Sequence, residues 1–333
     1  MKALVLHSPG DLRLEELPDP TPAGDWVRVR VERVGICGTD KAFYKGTYQL
    51  LKKPLVPGHE IAGIVDMVGP EAPDWLLGHR VTTEINVHCR KCWYCRHGMP
   101  THCPYRETIG ISRDGGMAEY VLTRSDLVHV ADDLEPGVLA LVEPLAAVIE
   151  MNEMERVAES ANIADLGLGT IGQLSIAYLR TLKPRLLLGI AREDTPKKPL
   201  ALEMGADKVV TYEEALEIAE AETPEGQGFD YVVEATGSTA GLQMALELVR
   251  PRGVIAGKST HGAPVSLDYT KLVVKEARLI GSRCGPFPRA LRLMRRIKDK
   301  ASRLITGVYP LEEGVEAFKA SFDRRSIKIQ LEP

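Results

Sequence analysis

The sequence predicts an α/β protein in two parts, a β-rich barrel-like unit followed by a doubly wound parallel sheet. Three observations predict it. Up to about Met151, short apolar segments are cut at close intervals by Gly and Pro, as in a small all-β barrel. Beyond it, strand-like and helix-like segments alternate, which is the rhythm of βαβ units. At the first strand-to-helix turn of that second part stands Gly167-Leu168-Gly169-Thr170-Ile171-Gly172. A chain of 333 residues is also too long for one ordinary compact domain.

Taken in order, Val27-Arg28-Val29-Arg30-Val31 alternates apolar and polar, the mark of a half-buried strand. Residues 61–65 and 118–122 are further strand candidates. In the second part the expected order is strand 162–166, helix 171–182, strand 186–190, a helix ending at 200–205, and strands 208–211 and 231–234. Helix 242–249 and strand 253–256 follow. The tail returns to helix from about Pro288, with an amphipathic stretch at 312–322, and ends on the alternating strand 327–331.

Composition narrows the function. Lys and Arg total 42 against 46 for Asp and Glu, a net charge of −4 that gives no electrostatic footprint for nucleic acid or an anionic membrane. The basic stretch 289–303 carries Leu291, Met294 and Ile297 at helical spacing and reads as a helix with a solvated basic face. No run reaches the roughly 18 apolar residues of a membrane span. The best candidate, 137–151, is interrupted by Glu143, Pro144 and Glu150. The start lacks the apolar core of a signal peptide, so a cytoplasmic location is expected.

Four of the six cysteines crowd into one loop as Cys89-x2-Cys92-x2-Cys95-x7-Cys103. In a chain read as non-secreted, such crowding points to metal before disulfides. Four thiolates suit a closed, tetrahedral, structural Zn²⁺ site. A scattered second set, Cys37 in Gly35-Ile36-Cys37-Gly38-Thr39-Asp40, His59 and Glu60 in Gly58-His59-Glu60, and Glu143, offers thiolate, imidazole and carboxylate. That set leaves a position open on zinc, as a catalytic site needs. Gly167, Gly169 and Gly172 fit G-x-G-x-x-G between a strand and a helix, where backbone approaches a pyrophosphate closely.

Together these motifs resemble the zinc-containing medium-chain alcohol and polyol dehydrogenases, near their archaeal glucose, threonine and sorbitol branches. The likeness runs along the whole chain, through Glu143-Pro144-Leu145-Ala146, Glu234-Ala235-Thr236-Gly237, Ile280-Gly281-Ser282 and Ile327-Lys328-Ile329. It implies a GroES-like catalytic domain (1–150 and 285–333) interrupted by a Rossmann dinucleotide-binding domain (151–284). It also implies hydride transfer between an alcohol or carbonyl and a nicotinamide cofactor, and a homodimer or homotetramer. By position, Cys37, His59 and Glu143 match the zinc ligands. Glu60 matches a glutamate that exchanges on the metal, and Thr39 the hydroxyl that passes the substrate proton outward. Cofactor contacts are carried to Gly167, Gly169, Thr170, Ile171, Gly172, Ala191, Arg192 and Thr236. Two zinc ions per chain are expected.

Departures shape the substrate. Ala42 replaces a relay histidine, Ala147 an acidic sugar ligand, and Thr108 aligns with a second sugar-binding carboxylate. A buried donor left unpaired costs about 1–3 kcal/mol, so this pocket suits a less polar, secondary or cyclic alcohol better than glucose. A sugar dehydrogenase on the same site and a zinc-stabilised binding protein without catalysis are the alternatives. Ala191 takes the position of the usual ribose-binding acid. Without that carboxylate, Arg192 offers a charged fork to a 2′-phosphate, so NADP(H) is expected, with NAD(H) tolerated. Glu193 and Asp194 beside it are the competing ribose ligands.

Overall fold

The computed structural model describes residues 1–333. The chain divides into two compact units. The first comprises Met1–Glu143, Ala290–Lys298 and Ile305–Pro333, the second Pro144–Arg289 and Asp299–Leu304.

Strands of the first unit are β1 (Lys2–Ser8), β2 (Asp11–Glu16), β3 (Trp26–Gly35), β4 (Glu60–Val68), β5 (Arg80–Thr83), β6 (Asn86–Val87), β7 (Glu107–Thr108), β8 (Tyr120–Arg124) and β9 (Val128–Val130). The second unit holds β10 (Asn162–Leu166), β11 (Leu186–Ile190), β12 (Lys208–Val210), β13 (Phe229–Glu234), β14 (Val249–Gly257) and β15 (Arg278–Gly281). The chain then returns to the first unit with β16 (Ile305–Pro310) and β17 (Lys328–Glu332).

The first unit is built on a seven-stranded sheet ordered β16-β17-β3-β4-β5-β9, with β8 also paired to β3. Alternation on β3 buries Val27, Val29 and Val31, each worth about 1.5–3 kcal/mol. The pairing with β4 shifts register between Val31 and Arg33, a bulge that returns Val34 to the buried side. This irregularity sits just before Gly35, where the chain leaves the sheet for the site.

The second unit is a six-stranded parallel sheet ordered β12-β11-β10-β13-β14-β15. Counted from its own first strand this is 3-2-1-4-5-6, the dinucleotide-binding order. Both faces are covered, which is why Leu186–Ile190 is continuously buried instead of alternating. Ala164, Leu188, Phe229, Val232, Leu246 and Ile255 share one core cluster.

The helix expected at 171–182 spans Thr170–Arg180. The helix Tyr212–Glu222 was not anticipated because its face is strongly acidic. Its signal was the capping box of Thr211 and Glu214, each bonding the other's backbone N–H. The basic stretch is the helix Phe287–Ser302, with Leu291 and Met294 buried. Its basic face is more than solvated, since Arg295 pairs with Asp133 at 2.7 Å and Arg289 with Glu153. No helix is long and apolar enough to cross a membrane.

Candidate metal centres and dinucleotide site

The loop between β6 and β7 folds its four cysteines onto one point. All four sulfurs lie within 4.8 Å of one another. Cys92 Sγ is 3.4 Å from Cys95 Sγ and 3.7 Å from Cys103 Sγ, and Cys89 Sγ is 3.9 Å from Cys95 Sγ. A tetrahedron with Zn–S bonds of ~2.3 Å has edges of about 3.8 Å, so the donor set fits zinc. A disulfide, at ~2.05 Å, fits none of these pairs. Backbone amides of Cys92 and Cys95 point at Cys89 Sγ and Cys92 Sγ at 3.3 and 3.5 Å, the pattern that supports thiolates. Without a cation the sulfurs cannot share their charge. The Cys89 thiol is drawn down to about 6, chiefly by the Lys91 backbone, and burial and its neighbours push Cys95 up to about 12.

The second set forms where β3 ends and β4 begins. Cys37 caps the helix Gly38–Lys45, and its backbone N–H donates to Asp40 Oδ2 at 2.8 Å. Gly58 N donates to Asp40 Oδ1 at 3.4 Å, and His59 Nδ1 stands 3.7 Å from the same oxygen. One fully buried carboxylate thus ties together the two backbone turns that carry Cys37 and His59. The sequence reading gave Asp40 no role; its place three residues after the capping Cys37 was the available signal.

His59 Nδ1 is buried without a hydrogen-bond partner. Burial lowers the affinity of His59 for a proton, but Asp40, Cys37 and Glu143 outweigh it and raise the group well above the ordinary histidine range. The same converging negative charge would hold a divalent cation. Glu143 is buried in the first turn of the helix Val142–Met154, and Thr39 is half-buried in the first turn after Cys37.

Glu60 is engaged by a buried lysine. Its two oxygens accept from Lys328 Nζ at 2.7 and 2.6 Å, and Lys328 also donates to Ile36 O at 3.1 Å. Both side chains are buried, and an unpaired charge here would be strongly destabilising. A Cβ on Gly35 would fall 1.9 Å from Glu60 Oε2, so the glycine is required by this ion pair. Glu60 is therefore paired with Lys328 through both of its oxygens. The ligand atoms of Cys37, His59, Glu60 and Glu143 do not close to the spacing of the four-thiol loop.

In the second unit the glycine turn follows β10. Gly167 has φ +106°, and a Cβ on Gly172 would meet Gly167 O at 1.7 Å, so turn and helix pack as only glycine allows. Gly169 has nothing within 4 Å of its would-be Cβ, and it caps the helix Thr170–Arg180 without a side chain over the end. An open, positively polarised terminus of this kind has the chemistry to receive a pyrophosphate. Thr170 and Ile171 open the helix, half-buried. Ala191 and exposed Arg192 follow β11, and Lys197 O accepts from Gln173 Nε2 at 3.2 Å. Thr236, at the end of β13, is engaged internally, its hydroxyl donating to Glu234 Oε1 at 2.6 Å. Beneath the turn lies Asp165, fully buried with neither oxygen hydrogen-bonded. Burial and then Glu234 raise its carboxyl well above the usual range.

Two family models match the chain, an alcohol dehydrogenase GroES-like domain over residues 23–133 and a zinc-binding dehydrogenase over residues 170–298. D-arabitol-phosphate dehydrogenase of Enterococcus avium is 31% identical over 342 residues, covering 100% of this chain and 97% of its own. A Sinorhizobium meliloti protein described as a zinc-binding dehydrogenase, bound to NADP, superposes with a TM-score of 0.88 at 28% identity, covering 100% and 99%. An alcohol dehydrogenase of Escherichia coli CFT073 complexed with NADH gives 0.90 at 25% identity, also covering 100% and 99%.

Proposed function

Because this chain belongs to the zinc-containing medium-chain alcohol dehydrogenase family, we propose that it interconverts a secondary alcohol and its ketone with NADP(H). The observation that carries the reading is the single buried Asp40 carboxylate that fixes the turns bearing Cys37 and His59, with the charges of Cys37 and Glu143 acting on that histidine. Cys37, His59 and Glu143 would hold the catalytic zinc, which when bound supplies a Lewis acid that lowers the alcohol's pKa. Cys89, Cys92, Cys95 and Cys103 would hold the second, structural ion. Asp40 orients the backbone at Cys37 and at Gly58, beside His59. Thr39, half-buried at the helix start, carries the alcohol proton outward. Lys328 holds both oxygens of Glu60.

The named activity of the Enterococcus avium relative supports a polyol-like secondary alcohol, and Ala147 supports tolerance of less polar ones. Arg192 supports NADP(H), since no carboxylate stands at Ala191 to repel a 2′-phosphate. The experiment is a panel of secondary alcohols, polyols and glucose with both cofactors, on wild type and Arg192→Ala. Secondary alcohols or polyols should exceed glucose in kcat/KM. Arg192→Ala should raise KM for NADP⁺ about tenfold or more and leave NAD⁺ nearly unchanged, as loss of a charge-assisted bond of about 1.5–3 kcal/mol would. Equal losses for both cofactors would sink the assignment.

A homo-oligomer is proposed as well, supported by the free edge of the parallel sheet. Strand β15 closes that sheet on one side, with Leu279 43% exposed. Beside it in sequence the helix Tyr269–Val274 leaves Tyr269 and Val274 73% and 77% exposed. Unpaired edge strands with apolar surroundings recruit another strand. Light scattering should give a mass at least twice the 36.6 kDa of the chain, and a monomer would overturn this.

A further inference from the structure

The two chain segments that carry Cys37 and His59 are joined twice, by two opposite charges. Asp40 accepts from Cys37 N at 2.8 Å and from Gly58 N at 3.4 Å, which links the segments through their N–H groups. The second link comes from β17. Lys328 Nζ donates to Ile36 O at 3.1 Å and to the two oxygens of Glu60 at 2.7 and 2.6 Å. Ile36 immediately precedes Cys37, and Glu60 immediately follows His59. Three acceptors use all three hydrogens of an ammonium, so Lys328 is fixed by both segments at once. β17 also takes the other backbone group of Ile36, whose N–H donates to Ile329 O at 2.9 Å.

Stability is a poor reason for this arrangement. The side chains of Lys328 and Glu60 are 3% and 1% exposed, and taking two charges out of water can cost more than their attraction returns. A well-packed apolar pair would hold β17 to its neighbours as firmly. Such a pair could not grip a carbonyl and a carboxylate from different segments in a set direction. The sheet does not supply that grip either. The β3–β4 ladder ends at the pair Gly35 and Glu60, so Cys37 lies two residues past one strand end and His59 just before the other. We propose that Lys328 is a positioning residue for the Cys37–His59 site, setting the separation of the two donors and with it the affinity of the site for its metal. This rests on the metal reading above. Lys328 acts through Ile36 and Glu60, and removing groups that orient metal ligands in this way weakens the metal about 10–100-fold.

The test is metal binding, with Co²⁺ as the probe. Full-length protein that keeps zinc in the four-thiol loop, checked by metal analysis, is stripped of its exchangeable ion and titrated with Co²⁺, read by cobalt–thiolate absorption. The variants are Lys328→Met, Glu60→Gln and Glu60→Gln/Lys328→Met. The double variant removes both buried charges together, so no unpaired carboxylate remains to disturb folding, and Glu60→Gln is its reference. Lys328→Met should raise the Co²⁺ dissociation constant about tenfold or more and shift the cobalt bands, with the four-thiol zinc retained. The double variant should bind Co²⁺ about tenfold more weakly than Glu60→Gln, because the tie to Ile36 is lost even where the carboxylate is already gone. If Lys328→Met does not fold, the double variant decides. A double variant that binds Co²⁺ as Glu60→Gln does overturns the proposal, whatever happens to its thermal midpoint, since Lys328 would then belong to the scaffold alone. Wild type that takes up no Co²⁺ beside the four-thiol zinc would instead overturn the metal reading itself.

Discussion

Replacing Cys37 by alanine is expected to lower turnover by at least about a thousandfold, equivalent to roughly 4 kcal/mol of lost transition-state stabilisation, while the fold survives. The separation follows from how Cys37 is held. Its backbone N–H, not its sulfur, bonds Asp40 Oδ2 at 2.8 Å, so alanine keeps the cap of the helix Gly38–Lys45. Its half-buried side chain supplies little packing. What disappears is one of the three candidate donors, Cys37, His59 and Glu143, and with it a negative charge that acts on the imidazole. Elemental analysis of unchelated protein should therefore drop from about two zinc ions per chain to one, with circular dichroism and thermal midpoint close to wild type. Near-normal turnover, or two ions retained, would show that Cys37 is not a ligand. Lost folding would place the cysteine in the scaffold instead.

How far this site could be read without coordinates depends on sequence distance. The four-thiol loop was legible because its geometry is local: gaps of two residues let one turn present successive sulfurs. The glycine turn was legible because the motif itself is local, with Gly172 packed on Gly167 O five residues back, although Gly167 answers to Ala235 O far along the chain. Cys37 and His59 are 22 positions apart and become neighbours only through the β3–β4 pairing that aligns Gly35 with Glu60. Spacing alone did not join them, and resemblance did. Lys328 lay beyond either argument. It reaches Glu60 across 268 residues because β17 pairs against β3 at Gly35. As a lysine in an alternating terminal strand it reads as solvent-facing. Its burial is what pairs Glu60 from within the protein, a contact that resemblance did not suggest. Asp165 fails differently: a carboxylate in a continuously buried strand is visible as an anomaly, but no sequence pattern supplies the partner it lacks.

Cys95→Ser should act on the opposite side of the same division, damaging structure and leaving the chemistry of Cys37 and His59 untouched until the fold gives way. Cys95 lies in the helix Trp93–Arg96, four residues long, too short to persist on nucleation energetics alone. The surrounding loop has little apolar support. Trp93 and Tyr105 are 55% and 73% exposed, whereas Cys103 is fully buried against the other sulfurs. The sulfur cluster is thus the core of this loop, and a hydroxyl in place of one thiolate leaves a tetrahedral zinc three-coordinate. Loss of a structural metal belongs to the few changes that remove about 4 kcal/mol or more. The variant should bind one zinc per chain, unfold at a markedly lower temperature, and be cut by protease within residues 88–106 before elsewhere. Chelation of the wild type should reproduce that cleavage pattern, and restoring zinc should reverse it in the wild type but not in Cys95→Ser. A variant with two zinc ions and an unchanged thermal midpoint would mean that the four sulfurs converge without holding a metal.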